Sequence, residues 1–163
     1  MRLDHLTVLI LDDHYFMRSV WRTIFVGLGV TKCIEASDAG EAFELMRNTP
    51  IDLVIADYHL GDLNGAEFTS LIRRSPDTPN AYVPIIGCTA DARRRIIYEF
   101  VDAGVDEVLV KPVSARGLWT KIQSVVEHRR DFVRTPSYFG PDRRRRQDPN
   151  YRGPERRASE QPD

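Results

Sequence analysis

Asp52-Leu53-Val54-Ile55-Ala56-Asp57-Tyr58-His59-Leu60-Gly61-Asp62-Leu63-Asn64-Gly65 sets four apolar residues between two carboxylates and then runs into a polar, glycine-bearing loop. Leu53 to Ala56 carry no polar side chain, the pattern of a strand buried on both faces. Asp57 therefore stands where water is scarce, and an uncompensated carboxylate there is costly. Whatever compensates it is expected to be the function.

The same pattern recurs on either side. Leu6-Thr-Val-Leu-Ile-Leu11 reads as a strand ending on Asp12-Asp13, and Met17, Val20, Trp21, Ile24, Phe25 and Leu28 follow at helical spacing, closed by Gly27 and Gly29. Lys32 to Ala36 is a short second strand, and Asp38 with Glu41 resembles a capping box for a helix to about Asn48. After the third strand, Ala66, Phe68, Leu71 and Ile72 mark a helix over Gly65 to Arg74. Val83 to Cys88 is a fourth strand, with Pro84 near its start; Asp91 to Ala103 is a helix ended by Gly104; Glu107 to Val110 is a fifth strand; and Leu118, Trp119, Ile122, Val125 and Val126 mark a fifth helix. Five strands alternating with five helices imply an α/β fold, a doubly wound parallel sheet covered on both faces, with ligands gathering at the carboxyl ends of the strands.

Asp12, Asp13 and Asp57 all fall at such ends, as do Thr89 and Lys111. Three converging carboxylates repel one another unless a cation joins them, and an oxygen-only site suits Mg²⁺. The order Asp12-Asp13, Asp57-x-x-Leu60 with Gly65 eight residues past the Asp, Thr89-Ala90 and Lys111-Pro112 resembles the receiver domain of two-component response regulators. The resemblance is to the stand-alone, chemotaxis-regulator-like members, over about residues 6 to 128.

That resemblance implies the flavodoxin-like strand order 2-1-3-4-5 and a phosphorylation switch rather than a turnover enzyme. Asp57 is then the phosphoacceptor, receiving its phosphoryl group from a histidine kinase or phosphotransfer protein. Asp13, Asp57 and the backbone carbonyl of His59 hold Mg²⁺, with Asp12 acting through metal-bound water. Lys111 and Thr89 neutralise and hydrogen-bond the phosphoryl oxygens, and Lys111-Pro112 is expected to be cis. His59 and Asp91 flank the path of attacking water. Two positions depart from the pattern: Gly61 stands where Pro is common and is expected to loosen its loop, and Val108 stands where an aromatic ring often swings inward with the Thr. Thr89 and the loop into Arg93-Arg94-Arg95 are expected to carry the change instead.

Other residues read more plainly. Gly27 and Gly29 end a helix and bind no nucleotide; His59 is expected to face solvent; His5, His14 and His128 have no partners in sequence; Trp21 and Trp119 belong to the core. Cys33 and Cys88 sit in strand-like contexts without neighbouring ligands, as buried thiols of a reducing compartment. No membrane-length apolar run and no signal-peptide h-region occur, and a cytoplasmic protein is expected.

The net charge of -1 hides an asymmetry: residues 1 to 130 hold 15 Lys+Arg against 18 Asp+Glu, whereas 134 to 157 hold eight Arg against three acids. The expected division is a receiver over 1–130 and an Arg/Pro/Gly-rich tail over 131–163, unstructured on its own. The tail repeats Tyr-x-Gly-Pro-acid-Arg-Arg, at Tyr138 to Arg144 (with Arg143) and at Tyr151 to Arg157 (with Arg156). Tyr supplies apolar area and the Arg pair forked contacts, so the arm is expected to clamp an acidic protein, the receiver's own acidic surface or, less favoured, nucleic acid. The interleaved Asp142, Asp148 and Glu155 weaken that last choice. The expected output is protein contact with a downstream partner and no effector domain. The rivals are a phosphorylation-independent scaffold, a flavodoxin-like cofactor binder, and a nucleic-acid regulator acting through the tail.

Overall fold

The computed structural model describes residues 1–144. Five strands, β1 (Thr7–Leu11), β2 (Lys32–Ala36), β3 (Leu53–Asp57), β4 (Ile85–Thr89) and β5 (Glu107–Val110), alternate with five helices, α1 (Tyr15–Gly27), α2 (Ala39–Asn48), α3 (Gly65–Arg74), α4 (Arg94–Ala103) and α5 (Ala115–Glu127). The strands are all parallel in the order β2-β1-β3-β4-β5, the expected doubly wound arrangement.

Helices cover both faces, so β1, β3 and β4 are buried along their whole length and alternate residues feed two cores. Leu9, Leu11, Val54, Ala56 and Ile85 pack with Phe68, Ile72 and Phe100 on one side. Val8, Ile10, Leu53, Ile55 and Ile86 pack with Trp21, Phe25, Leu118 and Ile122 on the other. Val126, counted with the α5 stripe by spacing, is exposed.

The helix starts differ in detail from the expected ones. Asp38 caps α2 by accepting from Glu41 N at 2.8 Å, but the Glu41 carboxylate takes Ser37 N instead of closing a full box. The complete capping box belongs to α3, where Asn64 and Glu67 satisfy each other's backbone N–H. Helix α4 begins at Arg94 rather than Asp91, because the Asp91 carboxylate holds Arg93 N at 3.0 Å and Asp91 N is bonded to Thr89 Oγ1 at 2.9 Å, which folds 91–93 into a turn.

The larger correction concerns the tail. Residues 131–144 are not an unstructured arm: β6 (Phe132–Thr135) and β7 (Tyr138–Pro141) form an antiparallel hairpin whose Tyr138 and Phe139 are buried. The hairpin packs on α3 and α4 beside the segments that lead into β4 and β5, the end of the sheet opposite to Asp57. Phe132 and Phe139 meet each other and Tyr82 at ring separations of 5.1 to 5.4 Å.

A buried arginine organises this end. Arg73 of α3 donates through Nε to Gly104 O (2.9 Å) and through Nη1 to Ala81 O (2.8 Å) and Val83 O (2.7 Å). Its Nη2 pairs with Asp106 Oδ2 at 3.1 Å, and the Phe132 ring covers the guanidinium. Burial lowers its pKa to about 10, against the pull of Asp106. Asp106 also accepts from Ile85 N and Arg129, so the charge is paired from several sides. The first tail repeat lies here. Tyr138 OH donates to Pro141 O at 2.7 Å, and Arg143 stacks on the Tyr138 ring and reaches Asp102 of α4 at 2.9 Å. Of the contacts expected for the arm, the described part makes the one to the domain's own acidic surface. Arg144 N is bonded to Asp142 Oδ1. Tyr151, Arg156 and Arg157 of the second repeat lie outside the described residues. Among the described residues no helix is long and apolar enough to cross a membrane.

Candidate functional site

Each acidic side chain reaches the rim because a buried strand ends beneath it. Leu11 closes β1, and Asp12 follows with its N–H on Ala36 O at 3.2 Å; its carboxylate is fully buried. Asp12 Oδ1 accepts from His14 N at 2.9 Å, and Arg18 Nη1 holds Asp12 O at 2.9 Å. Asp57 is the last residue of β3 and only 5% exposed. Lys111 comes up from the end of β5, its N–H on Thr89 O at 2.7 Å and its peptide bond to Pro112 cis. The ammonium stands 2.8 Å from Asp57 Oδ1 and 3.3 Å from Asp12 Oδ2. Asp12, Asp57 and Lys111, far apart in sequence, are therefore one ionic cluster.

Burial raises the Asp57 pKa, and the hydrogen bond and charge of Lys111 offset this only in part, with Asp12 and Asp13 adding to the rise. Burial also works against the Lys111 ammonium, but its hydrogen bond to Asp57 and the charges of Asp57 and Asp12 outweigh it and raise the pKa. The Lys111–Asp57 pair thus faces a second carboxylate, that of Asp12.

Thr89 is buried at the end of β4, and its hydroxyl is engaged by Asp91, accepting from Asp91 N at 2.9 Å. Asp91 in turn pairs with Arg93, which lowers its pKa to about 2. His59 is exposed, as expected, and its backbone bridges to Asn64 across the loop. That loop does not need Pro at 61: Gly61 has φ +84°, which a proline ring fixed near -65° cannot adopt. The glycine supplies the positive φ that this turn uses. Gly65 is required by proximity, since a Cβ there would overlap Asp57 O where α3 crosses the end of β3.

The donor atoms suit a divalent cation. Asp12, Asp13 and His14 each offer a ligand atom, and these lie within 4.8 Å of one another beside Asp57. Carboxylate oxygens are what Mg²⁺ takes. His14 has a partner that the sequence did not disclose: its Nδ1 is 2.7 Å from Asp13 Oδ1. A His directly after the acidic pair was the available signal.

A second omission is Tyr58. Its ring is buried edge-on to Phe100 at 5.6 Å, and its hydroxyl donates to the carboxylate of Glu99 on α4. Burial, followed by Glu99, raises the phenol pKa. Val108 is half-buried against the core that also holds Tyr58, Phe68 and Phe100.

The family model described as response regulator receiver domain matches residues 8–123. The chain is 30% identical over 120 residues to the chemotaxis protein CheY of Pseudomonas aeruginosa, a match covering 74% of this chain and 95% of that protein. It is 29% identical over 123 residues to chemotaxis protein CheY-3 of Vibrio cholerae, covering 76% and 93%. In structure it resembles chemotaxis protein CheY4 of Vibrio cholerae, with a TM-score of 0.67 at 24% identity over 74% of this chain and 98% of that one. A CheY-like receiver domain protein from Methanospirillum hungatei gives a TM-score of 0.64 at 25% identity over 76% and 94%. Each of these matches covers about three quarters of the chain, and over that span sequence and fold agree: the chain belongs to the response regulator receiver domain family of two-component signalling.

Proposed function

We propose that the protein is a phosphorylation switch in which Asp57 accepts a phosphoryl group from a phosphohistidine, on a kinase or phosphotransfer protein, and relays the signal by protein contact. The observation that carries this reading is the ion cluster in which Lys111 sits 2.8 Å from the buried Asp57 carboxylate with Asp12 behind it. An Asp57 oxygen attacks phosphorus, the phosphorus–nitrogen bond to the donor imidazole breaks, and that nitrogen keeps the electron pair. The transition state places charge on the equatorial oxygens, so catalysis is positioning and neutralisation. Asp13 and Asp57, with the His59 carbonyl and Asp12 in support, would hold Mg²⁺, which would supply charge neutralisation from one side. Lys111 supplies it from another, already oriented by its two carboxylates. Thr89 must exchange its bond to Asp91 for one to a phosphoryl oxygen, which makes the 89–93 turn part of the response. By the same reading His59 and Asp91 would set the access of hydrolytic water.

The reading is that of a switch whose acyl phosphate forms and decays on the protein, with the hairpin as a surface for its output. Intact mass spectrometry after incubation with acetyl phosphate and Mg²⁺ tests it. One phosphate adduct is expected on the wild type, and none on Asp57→Asn or with chelator. No adduct on the wild type, even with a competent phosphotransfer protein, would leave a scaffold with a receiver fold. Nucleic acid is not proposed as a partner, and a salt-dependent gel shift on random DNA and RNA is expected to be blank.

A further inference from the structure

Resting on the reading of the acidic rim as a receiver's cation site, we propose that His14 adds a nitrogen ligand to it, so that the site prefers a divalent transition metal to Mg²⁺.

His14 is the N-cap residue of α1, with extended backbone (φ -92°, ψ 114°), and its side chain makes no capping hydrogen bond. The backbone N–H is instead fixed on Asp12 Oδ1 at 2.9 Å, which leaves the imidazole turned to the carboxylates. Nδ1 lies 2.7 Å from Asp13 Oδ1 and 3.5 Å from Asp12 Oδ1. An octahedral ion with bonds of about 2.1 Å sets neighbouring ligand atoms about 3 Å apart, and the two distances bracket that edge. The ring is largely exposed, so an ion reaches the site without rearrangement of the core.

Without a cation, Nδ1 stands against Asp13 Oδ1 at 2.7 Å. When Nδ1 binds a cation, the ring proton resides on Nε2 facing water, and the neutral imidazole keeps its proton count. Nitrogen donors add affinity for Mn²⁺, and more for Ni²⁺, while Mg²⁺ favours oxygen and retains its waters. A histidine that were merely an ion-pair partner of Asp13 would compete with every cation alike, and that difference decides between the two roles.

The test is isothermal titration calorimetry of the untagged full chain with Mg²⁺, Mn²⁺ and Ni²⁺, on wild type, His14→Ala and Asp13→Asn, with pulsed EPR of the Mn²⁺-loaded protein. Removing the nitrogen ligand is expected to cut the Ni²⁺-over-Mg²⁺ preference by about tenfold or more while Mg²⁺ affinity changes by less than about threefold. The histidine ¹⁴N modulation of bound Mn²⁺ disappears with it, and Asp13→Asn weakens all three ions. Equal change for all metals in His14→Ala, or a nitrogen signal that persists, overturns the role of His14 and leaves the phosphoacceptor reading intact. A wild type that binds none of the ions overturns the role of His14 together with the cation site, and the phosphate-adduct experiment shows separately whether Asp57 accepts.

Discussion

Burial holds the Asp57 carboxyl above its ordinary range, and Lys111 recovers only part of that cost. The stabilisation from the bound proton is complete below the unfolded value near ~3.9 and is lost as pH rises through the folded one. At neutral pH the ionised side chain is therefore a liability of the metal-free fold. Asp57→Asn should melt higher than wild type at about pH 7, with the gap closing toward about pH 4 in thermal scans without Mg²⁺. A variant that melts lower at neutral pH would show the Lys111 pair to be net stabilising. Arg73 makes the opposite case, a buried charge whose partners are all fixed. Arg73→Met removes a donor from Asp106 and from three carbonyls and should cost about 3 to 5 kcal/mol in urea unfolding. Gly65→Ala, which drives a methyl into Asp57 O, should cost about 1 to 3 kcal/mol and displace the acceptor as well.

Elements whose periodicity is imposed by burial could be read directly: β1, β3 and β4 are continuous apolar runs because both faces are covered, and α1 and α3 carry stripes for the same reason. The hairpin could not. Its strands are four residues each, and its apolar groups are interrupted by Arg and Gly. Its main partner, Arg73, is a cation buried under Phe132 about sixty residues away in sequence, so composition pointed to disorder where tertiary contact produced order. Two truncated chains, one stopping after residue 131 and the other after residue 144, isolate what the hairpin contributes. Burial of Tyr138 and Phe139 is worth about 3 kcal/mol or more, and the shorter chain should lose at least that by denaturant midpoint. An unchanged midpoint would show the hairpin to be an ornament on a self-sufficient receiver.

Across the whole molecule, Asp12, Asp13, Asp57, Thr89 and Lys111 were legible because a parallel sheet brings its strand ends together whatever fills the loops. The Asp13–His14 and Tyr58–Glu99 contacts were not, since side-chain direction, and not topology, decides them. Tyr58 follows the acceptor by one peptide bond and ends on α4, so with Val108 unable to supply a ring, α4 should sense the acceptor through it. Addition of beryllofluoride with Mg²⁺ should shift the amide signals of Glu99 and Phe100 as well as those of the 89–93 turn, and Tyr58→Phe should shrink the α4 shifts by about half or more while the turn still responds. Shifts confined to the loop after Asp57 would contradict this. Helix α4 is also held nearer its C-terminus, where Arg143 reaches Asp102. Glu99 and Asp102 lie three residues apart, so the two grips fall within about one turn of the same helix. If phosphorylation alters how tightly the hairpin end holds a partner, thermodynamic reciprocity requires that partner to alter the phosphorylation equilibrium by the same factor, so the receiver's listener would also have a say in how long it is addressed.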